Sequence, residues 1–351
     1  MIINTRQLSL SLVAFAIVLF AEAARAQHPF SFVQLCDPQL CRYGCEHDAA
    51  NFSLAVEYIN NLVPDFVLLC GDLTDMSGKS DMLDRFLEIK NKLEVPCYCL
   101  VGNNDVGDVP SRELLESFRL RVGPDRFAFD HKGYRFIAVN TTLWESFALP
   151  DETAAQDAWF INELQTAHAE GKPIIVAGHH PANNKAALFH QYGVAAYLCG
   201  HLHINSTYEM HNVLFAVTPA TCGNYDKSAP GFRLWEADAA QFSNLSETFL
   251  PLYEFYEGRD TDGDGLLDGN EDKNLNNIVD PKETDRSKFD TDEDGLGDGV
   301  EVEFGLDPLQ QNAGTLPTFG FGATSAAIVI VAIIGRRSLR APNTTKPSRS
   351  R

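Results

Sequence analysis

The chain has 351 residues, enough for about two domains at roughly 150 residues each. With 44% hydrophobic and 22% charged residues its composition is globular, which excludes wholesale disorder. A balance of 28 basic against 48 acidic residues, a formal net charge of −20, argues against nucleic acid as a binding partner. The acidity is concentrated, with 17 acidic against 5 basic side chains in residues 258–308.

Residues 1–26 read as a secretory signal peptide. Arg6 supplies the positive charge, residues 8–20 are nearly all apolar, and Ala24-Arg25-Ala26 offers a small-x-small cleavage site. An uncleaved N-terminal anchor is the alternative. Either way the rest of the chain is expected to be exported.

Between residues 27 and 257 short apolar strands alternate with amphipathic helices. Strands are expected at 31–36, 65–70, 96–101, 135–139, 173–177, 194–199, 213–217 and 232–235. Helices are expected at 49–62, 80–93, 111–122 and 154–169. This alternation predicts an α/β fold, a pair of mixed sheets covered by helices. Eight cysteines in an exported chain could form disulfides. Cys36, Cys70 and Cys199 each end an apolar run, where a small buried thiol fits equally well. Cys97 and Cys99 share one strand face, and Cys41 and Cys45 fall in a loop.

Polar chemistry collects where these strands end, as it does in α/β folds generally. The successive ends read Asp37-Pro38-Gln39, Gly71-Asp72-Leu73-Thr74-Asp75, Gly102-Asn103-Asn104-Asp105, Gly178-His179-His180-Pro181 and Gly200-His201-Leu202-His203. A single Gly-Asp is usually a turn and a single buried histidine usually a core residue. Five such ends in order point instead to a metal centre. Mixed oxygen and nitrogen ligands suit one or two divalent ions of the Mn, Fe or Zn type. Two cations ~3.5–4 Å apart that share a carboxylate can clamp a phosphate and generate hydroxide at neutral pH.

This ordered set resembles the calcineurin-like metallophosphoesterases, whose motifs are D-x-H, G-D-x-x-D, G-N-H-D/E, an H-x-P-like histidine and G-H-x-H. The resemblance covers about two thirds of the chain. It implies a four-layer α-β-β-α sandwich with metals at the C-terminal edge of its sheets. It also implies hydrolysis of a phosphate monoester or diester. Carried over by position, one metal would be held by Asp37, Asp72, His203 and Gln39, and the other by Asp72, Asn103, His179 and His201. Asp72 would bridge, and His180 is the fallback for His179. Asn104 and Asp105 would contact the phosphate.

Two positions depart from the pattern. Gln39 replaces a histidine, and an amide oxygen is a weaker donor to a transition metal. The Asp-Pro-Gln motif is nonetheless similar to a subgroup that includes calcineurin-like phosphoesterase domain-containing serine/threonine phosphatases. Asn104 stands where the family has a histidine, and asparagine cannot deliver a proton at neutral pH. Slow turnover, or substrates with good leaving groups, would follow.

The acidic segment repeats a calcium-loop spacing. Asp260, Asp262, Asp264, Asp268 and Glu271 occupy positions 1, 3, 5, 9 and 12 of a twelve-residue loop, with Gly265 at position 6. Asp290, Asp292, Asp294, Asp298 and Glu301 form a second full copy. Asp272, Asn274, Asn276, Asp280 and Glu283 form a degraded third. The segment resembles the calcium-binding type 3 repeats of thrombospondin and is expected to be a calcium-stiffened stalk. After a linker at 309–318, residues 319–335 carry no charge and are just long enough to span a bilayer at ~1.5 Å per residue. The basic tail 336–351 would stay cytoplasmic. This end reads as a transmembrane helix or a sorting signal that anchors the body outside.

The sequence thus predicts an exported, surface-anchored phosphoesterase with a membrane contact through its C-terminal run. The alternative is a non-catalytic, metal- and calcium-binding surface protein with a degenerate site.

Overall fold

The computed structural model describes residues 29–222, 228–237, 245–273 and 279–311. The expected signal peptide at 1–26, the apolar run at 319–335, Asn274 and Asn276 lie outside them. Among the described residues no helix is long and apolar enough to cross a membrane. The chain divides into two compact units, Met1–Arg259 with Asp268–Val279, and Asp260–Leu267 with Asp280–Arg351. The division runs inside the first acidic repeat rather than before it. In the first unit the Tyr256 hydroxyl donates to Asp272 at 2.9 Å, and a Cβ on Gly269 would meet the Glu257 Cα at 2.9 Å. These contacts tie residues 268–273 to the catalytic body.

The first unit holds eleven strands among the described residues: β1 Phe30–Leu35, β2 Phe66–Leu69, β3 Cys97–Cys99, β4 Phe127–His131, β5 Tyr134–Ala138, β6 Ile174–Ala177, β7 Val194–Cys199, β8 Ser206–Met210, β9 Val213–Val217, β10 Gly231–Ala237 and β11 Leu245–Pro251. They form two mixed sheets, ordered β11-β10-β1-β2-β3 and β4-β5-β6-β7-β9-β8. The strands β1, β2 and β3 run parallel, as do β5, β6, β7 and β9. All eight expected strands are present. The expectation missed β4, β8 and β11, each an antiparallel edge strand. Two of them turn through tight left-handed pairs, Lys132-Gly133 (φ 44° and 91°) and His211-Asn212 (φ 51° and 58°), the backbone that two-residue hairpins require.

The predominantly apolar strands pack on both faces, which explains their nearly continuous hydrophobic sequence. Between the sheets lie Phe32, Phe66, Phe136, Leu198 and Trp235. Phe32 and Phe66 stack at 5.2 Å, and Phe136 meets both edge-on. The outer face of the first sheet packs against Phe52, Ile59, Phe86 and Phe118 of helices Cys45–Leu62, Ser80–Lys90 and Arg112–Arg121. The second sheet is covered by Phe160 and Leu164 of helix Pro150–Ala169 and Phe189 of Ala186–Gln191. Helix, sheet, sheet, helix is the expected layering. Cys41 and Cys45 form a disulfide, while Cys36, Cys70, Cys199 and Cys222 are buried free thiols.

One polar residue crosses the central layer. The buried Gln34 amide donates to the Cys199 and Ala216 carbonyls at 2.9 and 3.2 Å, and its oxygen accepts from the Trp235 indole at 3.1 Å. It therefore pins β1 to the other sheet two residues before the Cys36-Asp37 turn. Gln34→Leu is expected to cost about 1–3 kcal/mol by stranding the indole N–H, lowering the thermal midpoint by several degrees. A midpoint within a degree of wild type would show that the pin carries no stability.

Candidate metal centre

The parallel strands of both sheets end at one edge, and the five motifs meet there. The chain turns sharply after each strand. Asp37, Gln39, Asp72, His201 and His203 all have left-handed backbone, with φ of 49°, 35°, 52°, 63° and 53°. Such conformations cost non-glycine residues on the order of 1–3 kcal/mol each and concentrate at functional sites. Glycine is required where backbones crowd the carboxylates. A Cβ on Gly200 would lie 2.2 Å from Asp37 Oδ2, and one on Gly102 equally close to Asp72 Oδ1.

The side chains form a cluster of acceptors. His179 donates Nδ1–H to the Cys70 carbonyl at 2.8 Å, which turns Nε2 toward Asn103 Oδ1 at 3.0 Å and Asp72 Oδ1 at 3.3 Å. Asn103 is turned the right way round because its Nδ2 donates to Asp108 and to Asn104 Oδ1. His201 Nδ1 lies 3.3 Å from His179 Nε2, and its backbone N–H donates to Asp37 Oδ2 at 3.0 Å. His203 Nε2 lies 3.5 Å from Asp37 Oδ1, a buried oxygen with no hydrogen-bond partner among the described residues.

This arrangement demands positive charge. Burial would lower the His179 pKa, but Asp72 and Asp37 outweigh it and raise the ring to about 10. Burial opposes ionisation of Asp72 too, yet His179 and the Asn104 and Gln39 hydrogen bonds hold it at about 2. An orphaned carboxylate oxygen beside oxygen and imidazole acceptors is a donor set that fits divalent cations.

Two predicted roles are corrected. Gln39 turns its Nε2 to Asp72 Oδ2 at 3.0 Å, while its Oε1 faces the Cys222 thiol at 3.8 Å. It orients the central carboxylate instead of offering an oxygen ligand. Asp105 does not reach outward to a phosphate. Its two oxygens accept the backbone N–H groups of Gly102, Asp72 and Leu73 at 2.8–3.0 Å, clamping the ends of β2 and β3 together. Burial and the Asp72 charge push this carboxyl up to about 7.

His179 and His180 now separate by their hydrogen bonds. His180 Nδ1 lies 3.1 Å from the Thr141 hydroxyl, so its ring is held by a different partner from the Cys70 carbonyl that holds His179. Burial and the neighbouring His179 and His201 push the His180 pKa down to about 3. Sequence reasoning missed Thr141, which sits in a loop without a recognisable motif.

The calcineurin-like phosphoesterase family model matches residues 30–205. The chain belongs to that family. Rat serine/threonine-protein phosphatase CPPED1 is 29% identical over 249 residues, 59% of this chain and 80% of the relative. The human counterpart is 31% identical over 161 residues, 40% of this chain and about half of its own length, at 51%. A 3',5'-cyclic-nucleotide phosphodiesterase of Nostoc is 24% identical, over 59% of this chain and 87% of the relative. The structure of a purple acid phosphatase from yellow lupin seeds is similar in fold, with a TM-score of 0.50 and 14% identity over 65% of this chain and 52% of that one. The protein is a phosphoesterase, a hydrolase of phosphate esters.

In the second unit, Asp260, Asp262 and Asp264 cluster, as do Asp290, Asp292 and Asp294. The two loops share one local structure. The fifth-position N–H donates to the third-position carboxylate (Asp264 to Asp262, Asp294 to Asp292), and the seventh to the fifth (Leu266 to Asp264, Leu296 to Asp294). Left-handed residues recur at the fourth and sixth positions, Gly263 and Gly265 in one loop and Glu293 and Gly295 in the other. Asp298 accepts from the Thr291 N–H and hydroxyl, Glu301 is buried, and Glu283 accepts from the Asp280 N–H. Asp268, Glu271 and Asp272 are buried in the first unit.

Asp105→Ala is expected to lower unfolding free energy by about 1–3 kcal/mol, because three partly buried N–H groups lose their acceptor. Manganese should also dissociate faster from the variant, since Asp72 loses its backbone anchor. Urea denaturation and metal analysis after dialysis check both. Wild-type values in both would leave the clamp without a role.

Proposed function

We propose that the protein hydrolyses phosphate monoesters at a centre of two divalent cations. Asp37, Asp72 and His203 would hold one cation, and Asp72, Asn103, His179 and His201 the other, with Asp72 shared. The observation that carries this reading is the buried Asp37 Oδ1, which accepts no hydrogen bond among the described residues, at the edge of a cluster of converging acceptors. Bound there, two divalent cations would supply charge neutralisation at phosphoryl oxygens and a water nucleophilic at neutral pH. The chain's own contribution is orientation. Cys70 fixes the His179 tautomer, Asp108 and Asn104 turn the Asn103 oxygen inward, and Gln39 holds the Asp72 carboxylate.

Relatives named as protein phosphatases support a monoester carried on a large substrate over a diester. Exposed apolar side chains close in sequence to several site residues also support this reading. Tyr43, Met76, Val109 and Leu202 follow the first, second, third and fifth motifs within a few residues, and each could contact substrate groups beyond the phosphate. With manganese added, the full chain should hydrolyse an aryl phosphate monoester faster than the matching diester, and Asp72→Ala should abolish both activities. Turnover that survives Asp72→Ala would refute the shared-carboxylate centre, and faster diester cleavage would favour the cyclic-nucleotide phosphodiesterase reading.

We further propose that the acidic loops bind calcium and form a stalk between an exported catalytic body and a membrane anchor at 319–335. The repeated loop geometry supports the first point. So does the buried second carboxylate oxygen of both Asp262 and Asp292, which accepts no hydrogen bond among the described residues. Burial and the charges of Asp264 and Asp260 push the Asp262 pKa up to about 6, a penalty that a bound cation relieves. The signal-like and apolar ends of the sequence support export and anchoring. Calorimetric titration with calcium should show saturable binding that weakens in Asp262→Ala and Asp292→Ala. An unsaturable, salt-like heat would remove the calcium reading.

A further inference from the structure

The family motif would place a histidine at position 104, and the asparagine found there cannot act as an acidic donor. The structure offers another group within the cluster. A ring nitrogen of His180 lies within 4.8 Å of ring nitrogens of both His179 and His201. The rings of His180 and His201 are 4.3 Å apart between centroids.

Hydrogen-bond counting settles the form of the His180 ring. The Thr141 hydroxyl accepts two successive backbone N–H groups, from His179 at 3.1 Å and from His180 at 2.9 Å. A hydroxyl has two lone pairs and one hydrogen, so both lone pairs are used. The hydrogen that remains must go to the third neighbour, His180 Nδ1 at 3.1 Å. Nδ1 is therefore an acceptor, and the proton of the neutral ring sits on Nε2. A ring in this state cannot coordinate a cation through Nε2 without losing that proton. His180 Nε2 has no hydrogen-bond partner among the described residues and is not a buried atom, so its N–H is free to meet a ligand.

The arrangement is braced from behind. The Gln156 side chain makes a two-way pair with the Asn140 backbone at 2.9 Å in each direction, and Asn140 Nδ2 donates to Asp125 at 3.2 Å. Thr141 is thus fixed by its neighbour, and its hydroxyl cannot turn away without stranding two N–H groups. Tyr197 donates to the His180 carbonyl at 2.6 Å and holds the backbone on the other side.

We propose that His180 is a catalytic residue of this phosphoesterase, donating its Nε2–H to a phosphoryl oxygen of the bound ester, and that Thr141 is its positioning residue. No proton is transferred. The N–H bond stays intact and strengthens its hydrogen bond as negative charge grows on the phosphoryl group in the transition state. The inference rests on the phosphoesterase reading of this centre.

The test uses the full chain and three variants. His180→Phe keeps a ring without the donor, His180→Gln returns an N–H, and Thr141→Val removes the hydroxyl that sets the tautomer. With manganese bound, His180→Phe is expected to keep the wild-type metal content and KM within a few-fold, while kcat on an alkyl phosphate falls by ~10²–10³. His180→Gln should recover part of that loss. Inorganic phosphate should bind His180→Phe more weakly by about the same few-fold factor. On zinc-loaded protein, nitrogen-15 spectra should show His180 as the Nε2–H tautomer in wild type and as a mixture in Thr141→Val.

Loss of a metal from His180→Phe would overturn the proposal by making His180 a ligand. Unchanged kcat together with unchanged phosphate binding would overturn it as well, and so would an Nδ1–H tautomer in wild type. If wild type cleaves no ester, the functional reading fails, and phosphate affinity and the tautomer still decide whether His180 is the donor.

Discussion

Two carboxylates are held out of water at the shared edge of two sheets, and the rest of the site is organised around that charge. Asp37 and Asp72 are almost completely buried, and each turns on left-handed backbone. Isolated, they would be prohibitively costly to ionise. Around them the chain supplies imidazole, an amide oxygen and backbone N–H groups, and still leaves one Asp37 oxygen unmatched. Two parallel sheet edges provide the setting, because every parallel strand delivers its following turn to the same place. The strain at those turns and the crowding against Gly102 and Gly200 are tolerable because the four packed layers below over-determine the backbone.

Much of this was readable in the sequence. The motif residues Asp37, Asp72, Asn103, His179, His201 and His203 follow short apolar strands, and the structure gathers them. The eight central strands were legible because burial on both faces writes itself as continuous apolar sequence. The edge strands β4 and β8 were not. Each has one face half-open, and its hairpin depends on Lys132-Gly133 or His211-Asn212, pairs with weaker turn signatures than Asn-Gly.

Roles were harder to read than membership. The family resemblance implied that Asn104 and Asp105 both contact the phosphate. The carboxylate instead points back into the fold to three N–H groups donated by two strand ends. Gln39 was similarly read by what its oxygen could do, whereas its nitrogen faces the cluster. Nor does spacing separate His179 from His180. Their difference lies in a carbonyl from β2's end and a hydroxyl after β5, two partners brought in from distant parts of the chain.

The strand order has a consequence for how the chain can be cut or made. β1, which leads to Asp37, is flanked on one side by β2 and on the other by β10, a strand that arrives only after the second sheet is complete. The family match ends at residue 205, yet Trp235 fills the space between the sheets and closes onto Gln34. A polypeptide leaving the ribosome has therefore synthesised every metal-facing residue well before it can seal the first sheet. Until β10 pairs, β1 carries an open edge and the aromatic layer has a hole of indole size. A fragment trimmed to the matched motifs would hold all the ligands while lacking the strand that closes the first sheet.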